Sequence, residues 1–337
     1  MTIRTASYAG EVASYAFAPP ELRRTGRIAC DAPAWLEHIT LDEKLVLCVG
    51  ETPNAVLSVF RETANELELH ASAHVGGDGA VSIAIVRMPY GAQVFVANYA
   101  SGSMSVLDLA HDGTLGAPHT IPFHRSGHGR VADRQEMPHA HQVMPSPDHK
   151  HVLICDLGSD RIHIVRVGAR AHDAALATSV PVPDGSGPRH LVFHETTAYV
   201  VMELSLEVQA FAWDGAKLTA QGTAVPVRPP QKHTDTLAEV AVSSDGRFVY
   251  VSCRGDAHED VLAALPRAAD GALSTPVFYA CGGRVPRHFA LSEDERWVVV
   301  ANQGSETLAL LSRDGASGAL ELVGAQTVGP VNYAGFI

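Results

Sequence analysis

A seven-bladed β-propeller, all-β and built by residues 1–337 as a single domain, is the fold this sequence predicts. Three observations predict it. A weak repeat of roughly fifty residues runs from end to end. Each copy passes through a tight turn into a short apolar strand, and the two chain ends look like complementary parts of one further copy.

The turns lie at Leu41-Asp42-Glu43, Pro89-Tyr90-Gly91, Pro147-Asp148-His149, Ser244-Asp245-Gly246 and Glu293-Asp294-Glu295. A copy around Phe193-His194-Glu195 keeps the spacing without the turn residues. Strands follow at 45–49, 94–97, 152–155, 199–201, 248–252 and 297–301. One blade cannot bury both of its faces, so blades must stack and close into a ring. Residues 329–336 resemble the opening segment of a repeat, and 7–9 with 12–17 resemble its later strands. Joining first and last strands in a seventh blade pairs edges that would otherwise be exposed. The largest insertion, 118–137, is rich in Gly, His and Arg; a long loop in a compact ring is often functional.

Composition narrows the function classes. Hydrophobic residues make up 46% of the chain, enough for a continuous core, and the net charge of −12 argues against a nucleic-acid surface. The start lacks a signal-like apolar stretch, and no run approaches the length of a membrane span. Cys30, Cys48, Cys155, Cys253 and Cys281 are odd in number and show no Cys-x-x-Cys spacing. They read as free thiols, those in strands buried, and the expected location is cytoplasmic.

The repeat aligns two rings of positions. The first strand of a blade lines the central channel, so its start and the end of the second strand meet at one mouth. Counting seven residues back from each turn gives Trp35, Ile83, His141, Arg189, Ala238 and Arg287. The residue just past each second strand gives Glu51, Tyr99, Leu157, Glu203, Arg254 and Gln303. A ring with only a packing role would repeat one residue type; these positions gather charge at a concave mouth, which reads as a site. The bland alternative is interblade ion pairing of the arginines with Glu51, Glu203 and Glu239. His139 is two residues before His141, so on an extended segment both imidazoles face one side. His-x-His could begin a metal site, but the neighbouring arginines would repel a dication, and no metal or cofactor is expected. Phosphate-loop, nucleophile-elbow and dinucleotide motifs do not occur.

A resemblance rests on these same residues. Asp133-Arg134-Gln135-Glu136-Met137-Pro138-His139-Ala140-His141 and Gly185-Ser186-Gly187-Pro188-Arg189-His190 are similar to segments of the seven-bladed propeller lactonase family. So are Met202-Glu203-Leu204, Ala238-Glu239-Val240, Cys253-Arg254-Gly255, Val285-Pro286-Arg287-His288-Phe289 and Ala301-Asn302-Gln303. That family includes propeller-type 6-phosphogluconolactonases and the fungal carboxy-cis,cis-muconate cyclase. The resemblance runs from about Leu36 to the end of the chain. It implies an active site of His141, Arg189, Glu203 and Arg254, with Arg134, Gln135, His139, Arg287 and Gln303 added in the lactonases. Glu51 and Tyr99 join the substrate-binding group from the ring count. Met202 and Cys253 stand where the family usually has Asn.

The chemistry follows from the residue types. Glu203 or His141 could take a proton from water, and Arg189 and Arg254 could meet an oxyanion or a carboxylate. Arg287 and Arg134 suit a second anionic group. Three functions fit: hydrolysis of an anionic sugar lactone such as 6-phosphogluconolactone, lactone formation from a carboxylated muconate, and a non-catalytic binding platform. The expected partner is a small anion rather than nucleic acid or membrane; the sequence leaves the oligomeric state open.

Overall fold

The computed structural model of this chain describes all residues except 20, 64–65, 125–128, 229–234 and 256–259. Seven four-stranded antiparallel sheets make up the fold. Their innermost strands are Pro33–Thr40, Ala80–Met88, Ala140–Pro145, Pro188–His194, Thr236–Val242, Pro286–Leu291 and Tyr333–Phe336, which we number as blades 1 to 7. Each inner strand touches the next, and that of blade 7 touches that of blade 1, so the ring is closed around a channel. The order of strands within a blade follows the chain in blades 1 to 6, from the channel outward.

Blade 7 is assembled from both ends. Tyr333–Phe336 is its inner strand, and Thr2–Ser7, Glu11–Ala18 and Glu21–Ala29 are the outer three. Ile3 lies opposite Phe336 and Ala6 opposite Tyr333. Asn332, just ahead of that strand and buried, ties three segments together. Its Oδ1 accepts from Tyr8 N (2.8 Å) and its Nδ2 donates to Pro33 O (3.1 Å) of blade 1.

Turn chemistry explains the repeat. Ser146, Ser243 and Ser292 each donate from Oγ to the aspartate two residues on, at 2.6, 2.7 and 2.6 Å. Such a side-chain bond replaces a backbone one and fixes the hairpin entering the second strand. Blade 4 lacks this device and turns through Glu195 at φ +52°. The core is segmented accordingly: seven apolar clusters fill the seams between neighbouring blades. The closing seam packs Ala6 and Val12 against Leu36, Val46, Phe60 and Tyr333. All five cysteines are free thiols; four are buried and Cys30 is partly exposed.

One detail differs from the sequence reading. Within the 118–137 insertion, His119–Pro122 is the fourth strand of blade 2, hydrogen-bonded to Ser103–Ala110. Only the residues after it form a long connection, of which 125–128 lie outside the described residues. Among the described residues no helix is long and apolar enough to cross a membrane.

The Asn332 bridge predicts a stability effect. Asn332→Ala strands a buried N–H and a carbonyl at the closing seam, and should cost about 1–3 kcal/mol. Denaturant unfolding checks this; a loss under about 0.5 kcal/mol would show that the seam closes on apolar packing alone.

Candidate active site at the channel mouth

One backbone feature positions the site. In blades 1, 2, 3, 4 and 6 the inner strand carries a one-residue bulge just after its first residue, at Ala34, Val81, His141, Arg189 and Arg287. Blade 5 shifts register between Leu237 and Val240. A bulge leaves one residue unpaired and re-aims its side chain. Here the bulged residues of those five blades all line one small pocket, together with Tyr8, Trp35, His190, Glu239, His288 and Asn332. The pocket is about 10 Å³, room for roughly one water.

The bulge also corrects the count from the turns. His141, Arg189 and Arg287 sit where the count puts them. In blades 1 and 2 the inner strand extends further before its turn, so the bulge falls on Ala34 rather than Trp35 and on Val81 rather than Ile83. Trp35 becomes a plug, edge-on to His190 (5.6 Å) and His288 (5.1 Å). Below it the channel reopens into a cavity of about 690 Å³ lined by Glu37, Ile39, Ile83, Ile85 and Val143. In blade 5 the pocket is lined by Glu239 in place of Ala238.

The second ring supplies the charge. Glu203 follows the strand Thr197–Met202 and is fully buried. Its backbone N–H donates to Gly187 O (2.8 Å), and Gly187 turns there at φ +61°, a conformation that disfavours a side chain. Glu203 Oε1 accepts from Arg134 Nη2 (2.7 Å), with Arg254 Nη2 at 3.4 Å, and Oε2 accepts from Arg189 Nη1 (2.6 Å). Arg254 is braced by its Nε on Thr236 Oγ1 (3.0 Å). Across the mouth, Arg287 Nη2 donates to Tyr8 OH (2.7 Å) and lies 3.9 Å from Glu51 Oε2. The ion pairing weighed from sequence therefore exists: Glu203 and Glu51 are the partners, while Glu239 pairs with histidines instead.

These neighbours set the protonation states. Burial alone would raise the Glu203 carboxyl, but Arg189, Arg254 and Arg134 overcome it and hold the group well below the usual carboxylate range. His141 is pushed well below the usual histidine range, first by burial and then by Arg189, His190, Arg287 and Arg254. Burial, joined by the field of Arg189, brings Arg254 down to about 9. Tyr8 rises to about 12, mainly through burial and against the pull of Arg287. At neutral pH the mouth thus holds four guanidiniums, the carboxylates of Glu203, Glu51 and Glu239, and a neutral His141.

Other candidates have different employment. Gln135 is fully buried; its Nε2 donates to Leu157 O (2.9 Å) and its Oε1 accepts from Val131 N (3.2 Å). It braces the connection that carries Arg134. His139 stacks on Tyr99 (4.3 Å) and spends its ring nitrogens on Tyr99 O and Glu136 Oε1, both at 3.0 Å. Tyr99 in turn meets His141 edge-on at 5.5 Å. His139 holds the site from behind, because its ring nitrogens are already used. Leu157 is fully buried, and Gln303 is partly buried after the strand Trp297–Asn302. Among the described residues no group of three or more His, Cys, Asp or Glu side chains is arranged to hold a metal ion.

Five polar pocket residues escaped the count: Tyr8, His190, Glu239, His288 and Asn332. Tyr8 follows Thr2–Ser7 as Glu203 follows its own strand, so extending the second ring to the split blade would have found it. His190, His288 and Glu239 come one residue after the counted positions, and the repeated Pro-Arg-His of blades 4 and 6 was the available signal.

Comparison with known proteins gives one consistent family. The model of the lactonase family with a seven-bladed β-propeller matches residues 2–334. A 6-phosphogluconolactonase from Bacillus subtilis is 33% identical over 236 residues, which is 68% of this chain and 65% of that protein's length. One from Formosa agariphila is 29% identical over 265 residues, 77% of this chain and 73% of the other. A periplasmic gluconolactonase from Pseudomonas aeruginosa superposes with a TM-score of 0.88 at 26% identity, covering 100% of this chain and 98% of that one. With the fold, the bulged mouth and the match over nearly its whole length, this chain belongs to the seven-bladed β-propeller lactonase family.

Proposed function

We propose that the protein hydrolyses an anionic sugar lactone, with 6-phosphogluconolactone as the leading substrate. One observation carries this reading. Four guanidiniums meet the carboxylates of Glu203, Glu51 and, just beneath, Glu239 at a single channel mouth, a local surplus of one positive charge around a neutral imidazole, in a chain of net charge −12. Such a site selects an anion and offers it a base. The activities named for the Bacillus, Formosa and Pseudomonas relatives agree with that chemistry.

In this reading His141 is the base. Glu203 is saturated by three guanidiniums and held strongly ionised, so it is a poor proton acceptor and serves to organise the arginines. His141 Nε2 takes a proton from water, and the hydroxide adds to the ester carbonyl of the lactone. A guanidinium meets the developing oxyanion, the bond from the carbonyl carbon to the ring oxygen breaks, and His141 returns its proton to the leaving alkoxide. The arginine fields that depress His141 are partly cancelled by the substrate's own charge, which makes the base stronger once the site is filled. Arg287 and Arg134, the more exposed pair, are placed to hold a phosphate or second carboxylate.

Turnover of phosphorylated and unphosphorylated gluconolactone, beside a carboxylated muconate, tests the reading. His141→Asn should lower kcat about 10²–10⁴-fold with little change in KM. Arg287→Ala should raise KM for the phosphorylated lactone about ten- to a hundredfold and leave the unphosphorylated one nearly unaffected. Ring closure of the muconate without hydrolysis of either lactone would replace this reading with the cycloisomerase. Anion binding without any turnover would leave a binding platform.

Two pH effects follow. His141 lies well below 6.5, so kcat/KM should stay flat as pH falls from 8 through 6.5, and an acid limb centred at 6.5 or above would remove His141 from the role. Glu203 is depressed in the folded state, so its stabilisation is present above its unfolded value of about 4.3 and is lost as pH falls toward the folded one. The stability gap between wild type and Glu203→Gln should therefore be widest above about pH 5 and shrink below it.

A further inference from the structure

Beneath the mouth lies a column of buried titratable groups that the hydrolytic step above does not use. His288, Glu239 and His190 run from blade 6 through blade 5 to blade 4 and end on His141 of blade 3, all of them less than a tenth exposed. The contacts are His288 Nε2 to Glu239 Oε2 at 3.3 Å, Glu239 Oε1 to His190 Nδ1 at 3.0 Å, and His190 Nε2 to His141 Nδ1 at 3.1 Å. At the far end His288 Nδ1 lies 2.9 Å from Ala334 O, in the strand that closes the ring.

Hydrogen-bond bookkeeping assigns every proton along this column. A carbonyl only accepts, so His288 Nδ1 carries a hydrogen for Ala334 O. His288 Nε2 stands 3.3 Å from Glu239 Oε2 without a hydrogen bond, and burial, outweighing the adjacent carboxylate, brings His288 down to about 4, so Glu239 is the ionised member of the pair. Glu239 Oε1 already accepts from Val240 N (3.0 Å), so it faces His190 Nδ1 as an acceptor too, and Nδ1 carries the hydrogen. Burial holds His190 below the usual histidine range against the pull of Glu239, so its Nε2 is a lone pair. His141 Nδ1 must then donate to it. That leaves His141 Nε2 unprotonated, and it makes no hydrogen bond among the described residues.

We propose that Glu239, through His190, fixes His141 as the tautomer whose bare Nε2 meets the pocket. Glu239 and His190 are positioning residues in this scheme, and their link to turnover rests on His141 being the base. When His141 takes a proton from water, its Nδ1 hydrogen stays on the bond to His190, and the lining-up of that bond holds the ring in place. The groups facing His141 are Tyr99 from blade 2, Arg189 and His190 from blade 4, Arg254 from blade 5 and Arg287 from blade 6. Those facing Glu239 are His190, His288 and Tyr333. None of them offers His141 Nδ1 an alternative acceptor.

The test needs no substrate. In the full-length protein labelled with ¹⁵N-histidine, long-range ¹H–¹⁵N spectra at pH 7 should show His141 protonated at Nδ1 and bare at Nε2, assigned by its loss in His141→Asn. His288 should carry its hydrogen at Nδ1, toward Ala334 O. Glu239→Gln places an amide there that accepts from His190 and donates to His288, so His141 should keep its tautomer. Glu239→Leu should let His141 populate both tautomers and lower kcat at least tenfold more than Glu239→Gln does, with KM little moved. A wild-type His141 protonated at Nε2, or an unchanged tautomer in Glu239→Leu, would overturn the proposal. A correct tautomer in a protein that hydrolyses no lactone would instead keep the column and remove the lactonase reading.

Discussion

The site depends on a single backbone irregularity repeated around the ring. A regular inner strand would alternate its side chains between the two faces of its blade, and the channel mouth would receive whichever residue the alternation delivered. The bulge after the first residue of the strand breaks that alternation where it is needed, and turns His141, Arg189 and Arg287 inward from three separate blades. Pro188 and Pro286 stand at the bulge's leading edge, a position in a strand where a missing N–H is tolerated. The next residue resumes the regular pairing and points deeper, which is why a histidine lies under each of these two arginines. Fold and chemistry share one local device, and the blades that do not need it for charge fill it with Ala34 and Val81.

Glu203 plays the electrostatic counterpart. Three guanidiniums this close would repel one another, and burial would make that worse. A fully buried carboxylate between them converts the repulsion into a bonded set and still leaves the group cationic overall. The arrangement spends its single negative charge on fixing guanidinium positions, so that the forks are held in place in advance. A carboxylate committed in this way is a poor proton acceptor, which sets Glu203 apart from His141, two residues that looked interchangeable as letters.

How much of this was legible follows the same physics. The blades were readable because Ser-x-Asp turns recur at Ser146, Ser243 and Ser292, and a side chain that makes a turn by itself leaves a mark in sequence. The second ring was readable because it sits one residue past a strand of nearly constant length; Glu203, Arg254, Glu51 and Tyr99 all came out near the mouth. The first ring failed in blades 1 and 2, where longer strands moved Trp35 and Ile83 below the bulge, and in blade 5, where Glu239 lines the pocket instead of Ala238. Tyr8 was hidden because the seventh copy is cut by the chain ends. The parts of Gln135 and His139 could not be read, since a motif shows which residues travel together and not whether their polar atoms are already engaged.

The strand Tyr333–Phe336 has a consequence for how the molecule comes into being. It is the innermost strand of its blade, yet it leaves the ribosome after every other strand described above. Until it arrives, Ile3 and Ala6 have no partner, Ala334 is absent from beneath His288, and the apolar faces on either side of blade 7 stay open. Until then the nascent chain is an unclosed arc with two sticky edges, the kind of intermediate that invites pairing with other chains. Without that strand the molecule would hold six complete blades, three strands of a seventh and no closed mouth. The ring as a whole comes down to whether Tyr333–Phe336 finds Thr2–Ser7.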